Sequence, residues 1–460
     1  MEAVLLIDFG STNTKVSAVD IEGERLLGTA AAFTTVETDI GEGLAEALET
    51  LQRETGPLTF VKRFACSSAA GGLRMVTSGL VPALTAEAAR LASLGAGAKV
   101  VRVYSYELTE EDLAEIGIIN PDIFLLTGGV DGGNRDCILR NARMLASCPV
   151  AFPVIIAGNR GTAAECVEIL KNREVIRCPN VMPVFNKLNI EPVQEEIRRL
   201  FLKRIIHAKG LSREQGLISG ILMPTPSAVK RAMELLARGT KKQPGIGELV
   251  AVDLGGATTD VYSVATGLST AGDVILKGLP EPVSKRTVEG DIGMRYGAAG
   301  VLEAAGTQRL GELSGLTASY VETRVAYLGT HPEALPMTPE EDALDFALAA
   351  AAVETAVTRH TGTIEAVYTP MGQAFVQSGK DLTGVSRLIL TGGVVIHNPW
   401  AKEIASHALY NKATPASLRP KAAELYIDTS YILAAMGLLA EAYPDYAISI
   451  MKKEIHVYGT

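Results

Sequence analysis

The sequence has few cysteines and histidines, and neither set has the spacing of a disulfide frame or a metal site. None of the five cysteines, which are Cys66, Cys137, Cys148, Cys166 and Cys178, has a C-x-x-C neighbour, and all lie in the first half of the chain. The six histidines are not arranged at metal-ligand spacing. Since unpaired thiols are typical of a reducing compartment, we expect a cytoplasmic protein.

Targeting and membrane signals are also missing. The N-terminus has no basic leader and no apolar signal core, and no apolar run reaches bilayer length. The longest apolar helix candidate, Tyr431 to Ala442, is too short to span a bilayer. A net charge of −9 disfavours non-specific attraction to nucleic acid or anionic lipid. We therefore expect neither a nucleic-acid nor a membrane partner.

The chain is long enough for two or three domains, at 460 residues. Apolar strand candidates alternate with helical patterns along it, and this alternation favours an α/β fold. The pattern of apolar residues predicts, among other elements, strands at Phe60–Ala65, Ile123–Leu126 and Val181–Val184, and a helix at Asp342–His360.

Two stretches of the chain contain the same motif. Residues 8–15 (DFGSTNTK) follow the apolar run 3–7, and residues 253–260 (DLGGATTD) follow the apolar run 249–252. Each reads as a buried strand that ends in an acid, a glycine-rich turn with hydroxyls, and a second apolar strand. Such a turn directs backbone N–H groups and hydroxyls at one spot, as a phosphate chain requires.

A second repeat extends the first. Thr127-Gly128-Gly129 and Thr391-Gly392-Gly393 each follow a short apolar strand and precede a helical pattern. The two repeats keep the same order in both halves, so we interpret the chain as one large duplication and not as a solenoid. A pseudo-symmetric fold needs only one base pocket, so we assign the second turn to the ligand and treat the first as a tight turn alone.

The carboxylates at the strand ends point to a metal ion. A carboxylate repels phosphate, but it binds Mg²⁺, usually through water, because Mg²⁺ keeps several waters. Asp8, Asp253 and Asp260 are therefore predicted to hold the magnesium ion and the attacking water.

The turns are predicted to hold the nucleotide. Gly392 and Gly393 are expected to accept the adenine or a phosphate. Lys15 suits either a terminal phosphate or a plain surface position on its strand. The remaining predicted phosphate ligands supply backbone amides, hydroxyls or close backbone approach, and they are Gly10, Ser11, Thr12, Asn13, Thr14, Gly255, Gly256, Thr258 and Thr259.

A third polar segment follows the second hairpin. Glu289 and Asp291 are predicted to orient water or ribose hydroxyls, and Arg295 to face the base or a phosphate. The alternative for Asp291 is an N-cap of a helix that begins at Ile292.

These residues resemble the signature of the actin, sugar-kinase and heat-shock ATPase superfamily. Residues 8–15, 253–260 and 391–393 match its first phosphate loop, second phosphate loop and adenosine turn in that order. Ala257 departs from the heat-shock pattern, which usually has a third glycine there. The resemblance implies a duplicated actin-like (ribonuclease H-like) ATPase fold with two lobes around a nucleotide cleft, and ATP or ADP with Mg²⁺ as its cofactors.

The resemblance also suggests domain boundaries. Residues 1–225 form the first lobe in this prediction, and residues 226–247, rich in proline and glycine, form a hinge. Residues 248–430 form the second lobe, with a helical insertion at about 290–379 as a lid or accessory subdomain. Residues 431–460 form a C-terminal helix and tail.

Within the superfamily, the whole chain resembles accessory proteins encoded beside adenosylcobalamin-dependent glutamate mutase, often called GlmL or MutL. Residues 287–295 (TVEGDIGMR) and the 125–134 turn carry this narrower likeness. It implies a chaperone-like ATPase that assists or reactivates a mutase of the glutamate mutase or ornithine aminomutase type by nucleotide-driven cofactor exchange. A mutase subunit is the implied partner, and a dimer is one assembly to be tested.

Three alternatives stay open at this stage. A small-molecule kinase on the same fold would transfer phosphate to a metabolite, and an actin-like scaffold would assemble under nucleotide control. An activator of radical dehydratases would bridge an iron–sulfur cluster through cysteines, but the thiols here lack the glycine-flanked pattern that such an activator uses.

Overall fold

The computed structural model describes residues 2–10, 13–34, 40–68, 73–208, 221–269, 274–370 and 372–458. Ser11 and Thr12, two of the predicted phosphate ligands, lie outside this described part. None of the helices within it is both long and apolar enough to cross a bilayer.

The strands alternate with helices along most of the chain. In chain order they are β1 Glu2–Phe9, β2 Asn13–Asp20, β3 Arg25–Phe33, β4 Thr59–Ser67, β5 Arg74–Gly79, β6 Lys99–Ser105, β7 Ile123–Leu126, β8 Val154–Ile156, β9 Val175–Arg177, β10 Ile221–Pro224, β11 Leu249–Leu254, β12 Thr259–Val264, β13 Val274–Lys277, β14 Ser284–Glu289, β15 Thr363–Thr369, β16 Gly372–Ser378, β17 Arg387–Thr391, β18 Glu424–Ile427 and β19 His456–Val457.

The helices cover the faces of the sheets or form a separate cluster. In chain order they are α1 Ile40–Thr55, α2 Glu87–Gly95, α3 Glu110–Ile119, α4 Asp136–Ser147, α5 Ala163–Ile169, α6 Glu191–Ala208, α7 Thr225–Arg238, α8 Ala298–Ala305, α9 Thr307–Ser314, α10 Ala318–Thr330, α11 Pro339–His360, α12 Gly393–His397, α13 Ala401–Ser406, α14 Leu433–Ala442 and α15 Pro444–Glu454.

The first lobe is built on a mixed sheet of order β10-β4-β1-β2-β3. Strand β1 pairs antiparallel with β2 and parallel with β4, and β2 pairs antiparallel with β3. The run from Ala3 to Ile7 is buried throughout, as expected of a strand that is covered on both faces.

The second lobe repeats this arrangement in the sheet of order β14-β12-β11-β17-β18-β19. Strand β11 pairs antiparallel with β12 and parallel with β17, and β12 pairs antiparallel with β14. In both sheets, the first strand has its hairpin partner and a third antiparallel strand on one side. Parallel strands lie on its other side. The predicted duplicated actin-like (ribonuclease H-like) α/β fold is confirmed.

A third sheet, of order β6-β5-β7-β8-β9 and parallel throughout, lies between β4 and β10 in the sequence. It corrects one prediction. The turn at Thr127 follows β7 in this inserted sheet, whereas the turn at Thr391 follows β17 beside β11. The counterpart of β17 in the first lobe is therefore β4, and the two Thr-Gly-Gly turns are not equivalent. A three-residue match in a turn indicates the local geometry at a strand end but does not determine to which sheet the strand belongs.

The segment after β14 contains α8 to α11, and then β15 and β16, which form a small sheet of order β13-β16-β15 with the earlier strand β13. Helix α11, predicted as Asp342–His360, begins at Pro339 because the Thr338 side chain accepts a hydrogen bond from the Glu341 amide as an N-cap. The predicted strand at Val181–Val184 is wrong, since only an isolated bridge from Val184 to Lys187 forms there.

The two lobes share a core. Its buried side chains come from β1 (Leu6), β11 (Ala251), α7 (Met233) and α14 (Leu438). Helices α7 and α14 cross closely at Gly437, where a Cβ atom would lie 1.8 Å from the Ala228 carbonyl oxygen. Residues 226–247, predicted as the hinge, thus include a packed helix that contacts both lobes.

Candidate functional site

The two predicted phosphate hairpins have the same backbone geometry. The Gly10 amide donates to the Asn13 carbonyl over 3.1 Å, and the Gly255 amide donates to the Thr258 carbonyl over 2.9 Å. In the strand register, Asp8 lies opposite Lys15 in the first hairpin, and Asp253 lies opposite Asp260 in the second. The repeat read from the sequence is therefore also a repeat of structure.

Asp8 is a buried carboxylate with three side-chain neighbours. The Thr225 hydroxyl donates to Oδ1 over 2.5 Å, and the Cys66 thiol approaches the same oxygen at 3.4 Å. The Lys15 ammonium lies 3.9 Å from Oδ2. These contacts hold the carboxylate at the end of β1, at the edge of the sheet that faces the second lobe.

Lys15 lies at the junction of three parts of the chain. Its Nζ is 3.4 Å from the centre of the Tyr431 ring, which precedes α14. Burial alone would lower the pKa of Lys15, but the neighbouring phenol and the carboxylates of Asp8 and Asp253 raise it above its usual value. Lys15 is therefore not a plain surface lysine, since its side chain is 24% exposed and lies against Asp8 and Tyr431.

Asp253 belongs to the same electrostatic group. Burial, together with the nearby carboxylates of Asp260 and Asp8, raises the pKa of Asp253 to about 7 against the opposing charge of a lysine. Asp8 of the first lobe and Asp253 of the second therefore lie close enough for the charge of one to shift the pKa of the other.

No group of three or more His, Cys, Asp or Glu side chains in the described part of the chain is arranged to hold a metal ion directly. A Mg²⁺ ion that keeps most of its water needs only one or two carboxylates and the oxygens of a phosphate chain. The pair Asp8 and Asp253 has this chemistry.

Asp260, the third predicted metal ligand, has a protein partner. Arg286 on β14 donates from Nε to Oδ1 over 2.7 Å, and its second guanidinium nitrogen lies 2.6 Å from the same oxygen. Both side chains are buried. The guanidinium also donates to the carbonyls of Leu94, in the last turn of α2, and of Ala98, directly before β6. Asp260 therefore connects the second hairpin to the inserted sheet.

The second phosphate loop is held from behind by a strap, residues 293–297. The Met294 amide donates to the Gly255 carbonyl, and the amides of Arg295 and Gly297 donate to the Gly256 carbonyl. Within the described residues, the amides of Gly256, Ala257 and Thr258 have no hydrogen-bond acceptor in the protein. A loop with bonded carbonyls and free amides suits an anion such as phosphate.

Two predicted hydroxyl ligands face away from this site. The Thr14 hydroxyl is buried against that of Thr34 at 3.1 Å, and the Thr259 hydroxyl donates to the Ile292 carbonyl over 2.9 Å. Neighbouring side chains in a strand point to opposite faces, so Thr14 and Lys15 cannot both face one ligand. The predictions for Thr14 and Thr259 as hydroxyl ligands are wrong for this reason. Asn13 is exposed and Thr258 half-buried, beside the two turns.

The turn at Gly392 lies next to the second hairpin, because Thr391 pairs with Asp253 in the parallel register. Gly392 has a φ of 121°, and a Cβ atom there would lie 2.2 Å from the Leu254 carbonyl oxygen, so only glycine fits. A Cβ atom on Gly393 would meet nothing within 4 Å, which leaves this side of the turn open.

Glu289, Asp291 and Arg295 lie elsewhere. Glu289 accepts a hydrogen bond from Arg359 at 2.6 Å, beside a different cavity. Arg295 is buried in a two-pronged ion pair with Asp345 of α11, which corrects its predicted contact with base or phosphate. Asp291 is exposed and does not cap a helix at Ile292, because α8 begins only at Ala298.

Sequence reasoning missed Thr225, Tyr431 and Asp428. Asp428 directly follows β18 and accepts hydrogen bonds from the amides of Ile432 and Leu433, so it caps the start of α14. An acid at the end of an apolar strand, directly before an apolar helix, was a signal for Asp428. Thr225 and Tyr431 reach the site only through the fold, and no local pattern marks them.

Comparison with known proteins places these features in a family. A family model described as MutL protein matches residues 4–455. The protein described as Protein MutL from Clostridium tetanomorphum is 50% identical over 457 residues, which cover 98% of this chain and 99% of that protein. Both findings confirm the resemblance drawn from residues 287–295 and 125–134.

Solved structures give weaker similarities. The activator of the 2-hydroxyisocaproyl-CoA dehydratase from Clostridium difficile, with bound ADPNP, is 10% identical with a TM-score of 0.35 and full coverage of both chains. A ligand-bound xylulose kinase from Lactobacillus acidophilus is 11% identical with a TM-score of 0.37, covering 99% of this chain and 93% of that one. Scores this low support no functional conclusion.

Proposed function

This chain belongs to the MutL protein family, and from that premise we propose that it is a chaperone-like ATPase that binds Mg-ATP. Its partner in this proposal is an adenosylcobalamin-dependent mutase of the glutamate mutase or ornithine aminomutase type, which it assists or reactivates by nucleotide-driven cofactor exchange. The observation that carries the proposal is the convergence of Asp8 and Asp253 from two equivalent hairpins on one lysine.

The donor set fits a hydrated divalent cation. The pKa of Asp253 stays raised to about 7 by burial and neighbouring carboxylates even beside the charge of Lys15, so a further positive charge at this site would stabilise its ionised form. In the proposal Asp8 and Asp253 hold Mg²⁺ through water, and the bound ion neutralises charge on the phosphate chain. Binding would release a proton from Asp253.

The protein groups have distinct roles in this proposal. The amides of Gly256, Ala257 and Thr258, together with Gly10 and the first loop, bind phosphate oxygens. Lys15 neutralises the terminal phosphate, and the open side of Gly393 accepts the adenosine. Thr225 orients Asp8 through its short hydrogen bond. The buried Asp260 positions the second hairpin through Arg286.

The shared core suggests how nucleotide state reaches the partner. A triphosphate that touches both hairpins favours a closed arrangement of the lobes, and a diphosphate favours it less. A partner that binds the two arrangements with different affinity is then remodelled as ATP is hydrolysed. We also propose a cytoplasmic location, which the five free, buried cysteines suit.

Calorimetry with Mg-ATP tests the nucleotide part. We expect Asp8→Asn and Asp253→Asn each to weaken binding strongly, whereas Asp136→Asn, an exposed acid in the first turn of α4, should bind like the wild type. Unchanged binding in both site variants would refute the site.

The proposed mutase partner is tested by pull-down from native extract with and without ATP. Recovery of a phosphorylated metabolite and no mutase would favour the kinase alternative.

A further inference from the structure

A cavity of about 450 Å³ lies between the inserted sheet and the second lobe, outside the nucleotide site. Strand β6 is the edge of the inserted sheet, and β14 is the edge of the second-lobe sheet. The cavity is lined by the consecutive residues 99–103 of β6 and 287–290 of β14 and its end. Two sheet edges therefore face each other across it.

The backbone of both strands borders this cavity. Successive side chains in a strand point to opposite faces, so a run of consecutive residues lines one space only along the edge of the strand. No main-chain hydrogen bond joins β6 to β14 within the described residues. One side-chain contact spans the gap, from the Lys99 ammonium to the Gly290 carbonyl at 3.0 Å. Edge strands of this kind offer free N–H and C=O groups to an added strand.

The cavity is basic in a chain whose net charge is −9. Its lining contains Arg90, Lys99, Arg102 and Arg359, against a single acid, Glu289. Arg102 and Arg359 are each more than half exposed and are held by one carboxylate each. The pair of Arg102 with Glu115 is exposed on both sides and contributes little stability, so Arg102 can exchange its carboxylate for another at small cost, whereas the Glu289 partner of Arg359 is only 15% exposed.

The cavity also connects to the second hairpin. Arg286, which holds Asp260, donates to the carbonyls of Leu94 and Ala98, and Leu94 lines the cavity. A shift of the hairpin would move the start of β6 relative to β14.

We propose that this cavity binds an extended, acidic segment of a partner protein, which adds as a strand between β6 and β14. The free edges of both strands bind its main chain, and the arginines bind its carboxylates. This inference rests on the proposed function for the existence of a partner. Two alternative explanations exist for the free strand edges and the basic lining. The cavity could be a site for a small anion, or the charges could serve only to prevent aggregation through the strand edges.

Hydrogen–deuterium exchange on the full-length protein tests the proposal with synthetic probes. The probes are an eight-residue peptide of alternating Val and Glu, the same peptide with alternate amides N-methylated, and a Val–Lys peptide. We expect the acidic peptide to protect segments 99–105 and 284–290. N-methylation should weaken its binding about tenfold or more, because it removes main-chain hydrogen bonds while keeping the charge. The Val–Lys peptide should not protect either segment.

Two variants address the charges. Arg102→Glu combined with Arg359→Glu should weaken binding of the acidic peptide about tenfold or more, whereas Arg140→Glu, an exposed arginine on α4 that pairs with Glu107, should not. Mg-ATP binding is measured in the same variants and should be unchanged, so loss of nucleotide binding would count against the proposed function and not against this site. The proposal is overturned if inorganic phosphate or citrate protects both segments as well as the peptide does. It is also overturned if neither segment is protected by the acidic peptide.

Discussion

At the scale of single residues, the placement of Asp8 and Asp253 at the ends of the hairpin strands was predictable because a strand, an acid and a glycine turn are contiguous in sequence, whereas the sequence left two positions open for Lys15. Thr14 and Thr259 were predicted wrongly because a motif of adjacent letters ignores the alternation of side chains along a strand. Thr225 and Tyr431 were not predictable, since they reach the site from positions far along the chain.

Thr225 gives a direct test of how Asp8 is positioned. Replacing Thr225 with valine keeps the shape of the side chain but removes its hydrogen bond to the buried carboxylate. A hydrogen bond to a charged group contributes about 1.5–3 kcal/mol, so we expect Mg-ATP affinity to fall about tenfold or more.

Calorimetry measures this change, with Thr55→Val as the matched control. The Thr55 hydroxyl donates to the Leu51 carbonyl on α1, away from the cleft. If Thr225→Val bound Mg-ATP as tightly as this control, the hydrogen bond would have no part in preparing Asp8.

Lys380 predicts a pH dependence of stability. Its side chain is fully buried and donates to the carbonyls of Pro282 and Val283. Burial, with the charge of Lys285, lowers the pKa of Lys380 from 10.5 to about 7. Between these two values the unfolded chain binds a proton that the folded chain does not, so this lysine adds stability as pH rises from about 7 toward 10.5.

The comparison for this prediction is Lys380→Met. The unfolding free energy of the wild type minus that of Lys380→Met should increase from pH 7 to pH 10 in urea titrations. Lys241→Met removes an exposed lysine and should give a flat difference over the same range. A flat difference for Lys380→Met as well would mean that the lysine is solvated or otherwise stays charged in the folded protein.

At the scale of elements, the sequence predicted the strands of both hairpins and most of the longer helices, because periodic burial repeats within each one. It missed β5, β9 and β10, most strands after β12 apart from β17, and the assignment of β7 to a sheet. Membership of a sheet depends on which strands pair, and the insertion between β4 and β10 changes those pairs without changing any local pattern. The strap behind the second loop was also missed, because Arg295 meets Asp345 only in the folded chain.

The ion pair between Arg295 and Asp345 fixes the strap to α11. The guanidinium donates to both carboxylate oxygens, at 3.1 and 2.8 Å, and both side chains are buried. Burial raises the pKa of Asp345 even with the arginine in place, so the carboxylate depends on its partner. Arg295→Met should therefore cost about 3–5 kcal/mol of unfolding free energy, because it leaves a buried charge unpaired.

The double variant Arg295→Met with Asp345→Leu should recover most of that loss, since it removes both charges together. Urea titrations of the two single variants and the double variant measure the coupling. Additive losses in the double variant would mean that the two side chains stabilise the protein independently.

At the scale of the whole molecule, the two lobes meet at the hairpins and share the core formed with α7 and α14. The duplication was predictable because the same hairpin motif occurs twice in the sequence. The inserted sheet and its contact with the second lobe were not, since Arg286 reaches the carbonyls of Leu94 and Ala98 across 192 and 188 residues of chain. That contact gives the nucleotide site a physical connection to the cavity between β6 and β14.

This connection predicts that nucleotide binding at the hairpins also affects β6. A triphosphate analogue with Mg²⁺ should change the hydrogen–deuterium exchange of segment 99–105 in the wild type, because Asp260 and Arg286 transmit any shift of the second hairpin. Arg286→Lys keeps a positive charge beside Asp260, but its single ammonium cannot replace the guanidinium, which binds Asp260 through two nitrogens and both carbonyls through the third. We expect this variant to bind the analogue within a few-fold of wild type while the response of segment 99–105 is lost. Arg90→Lys, beside the same cavity and in an ion pair with Glu87, should keep the response. A full response in Arg286→Lys would mean that the lobes communicate through the shared helices α7 and α14 instead.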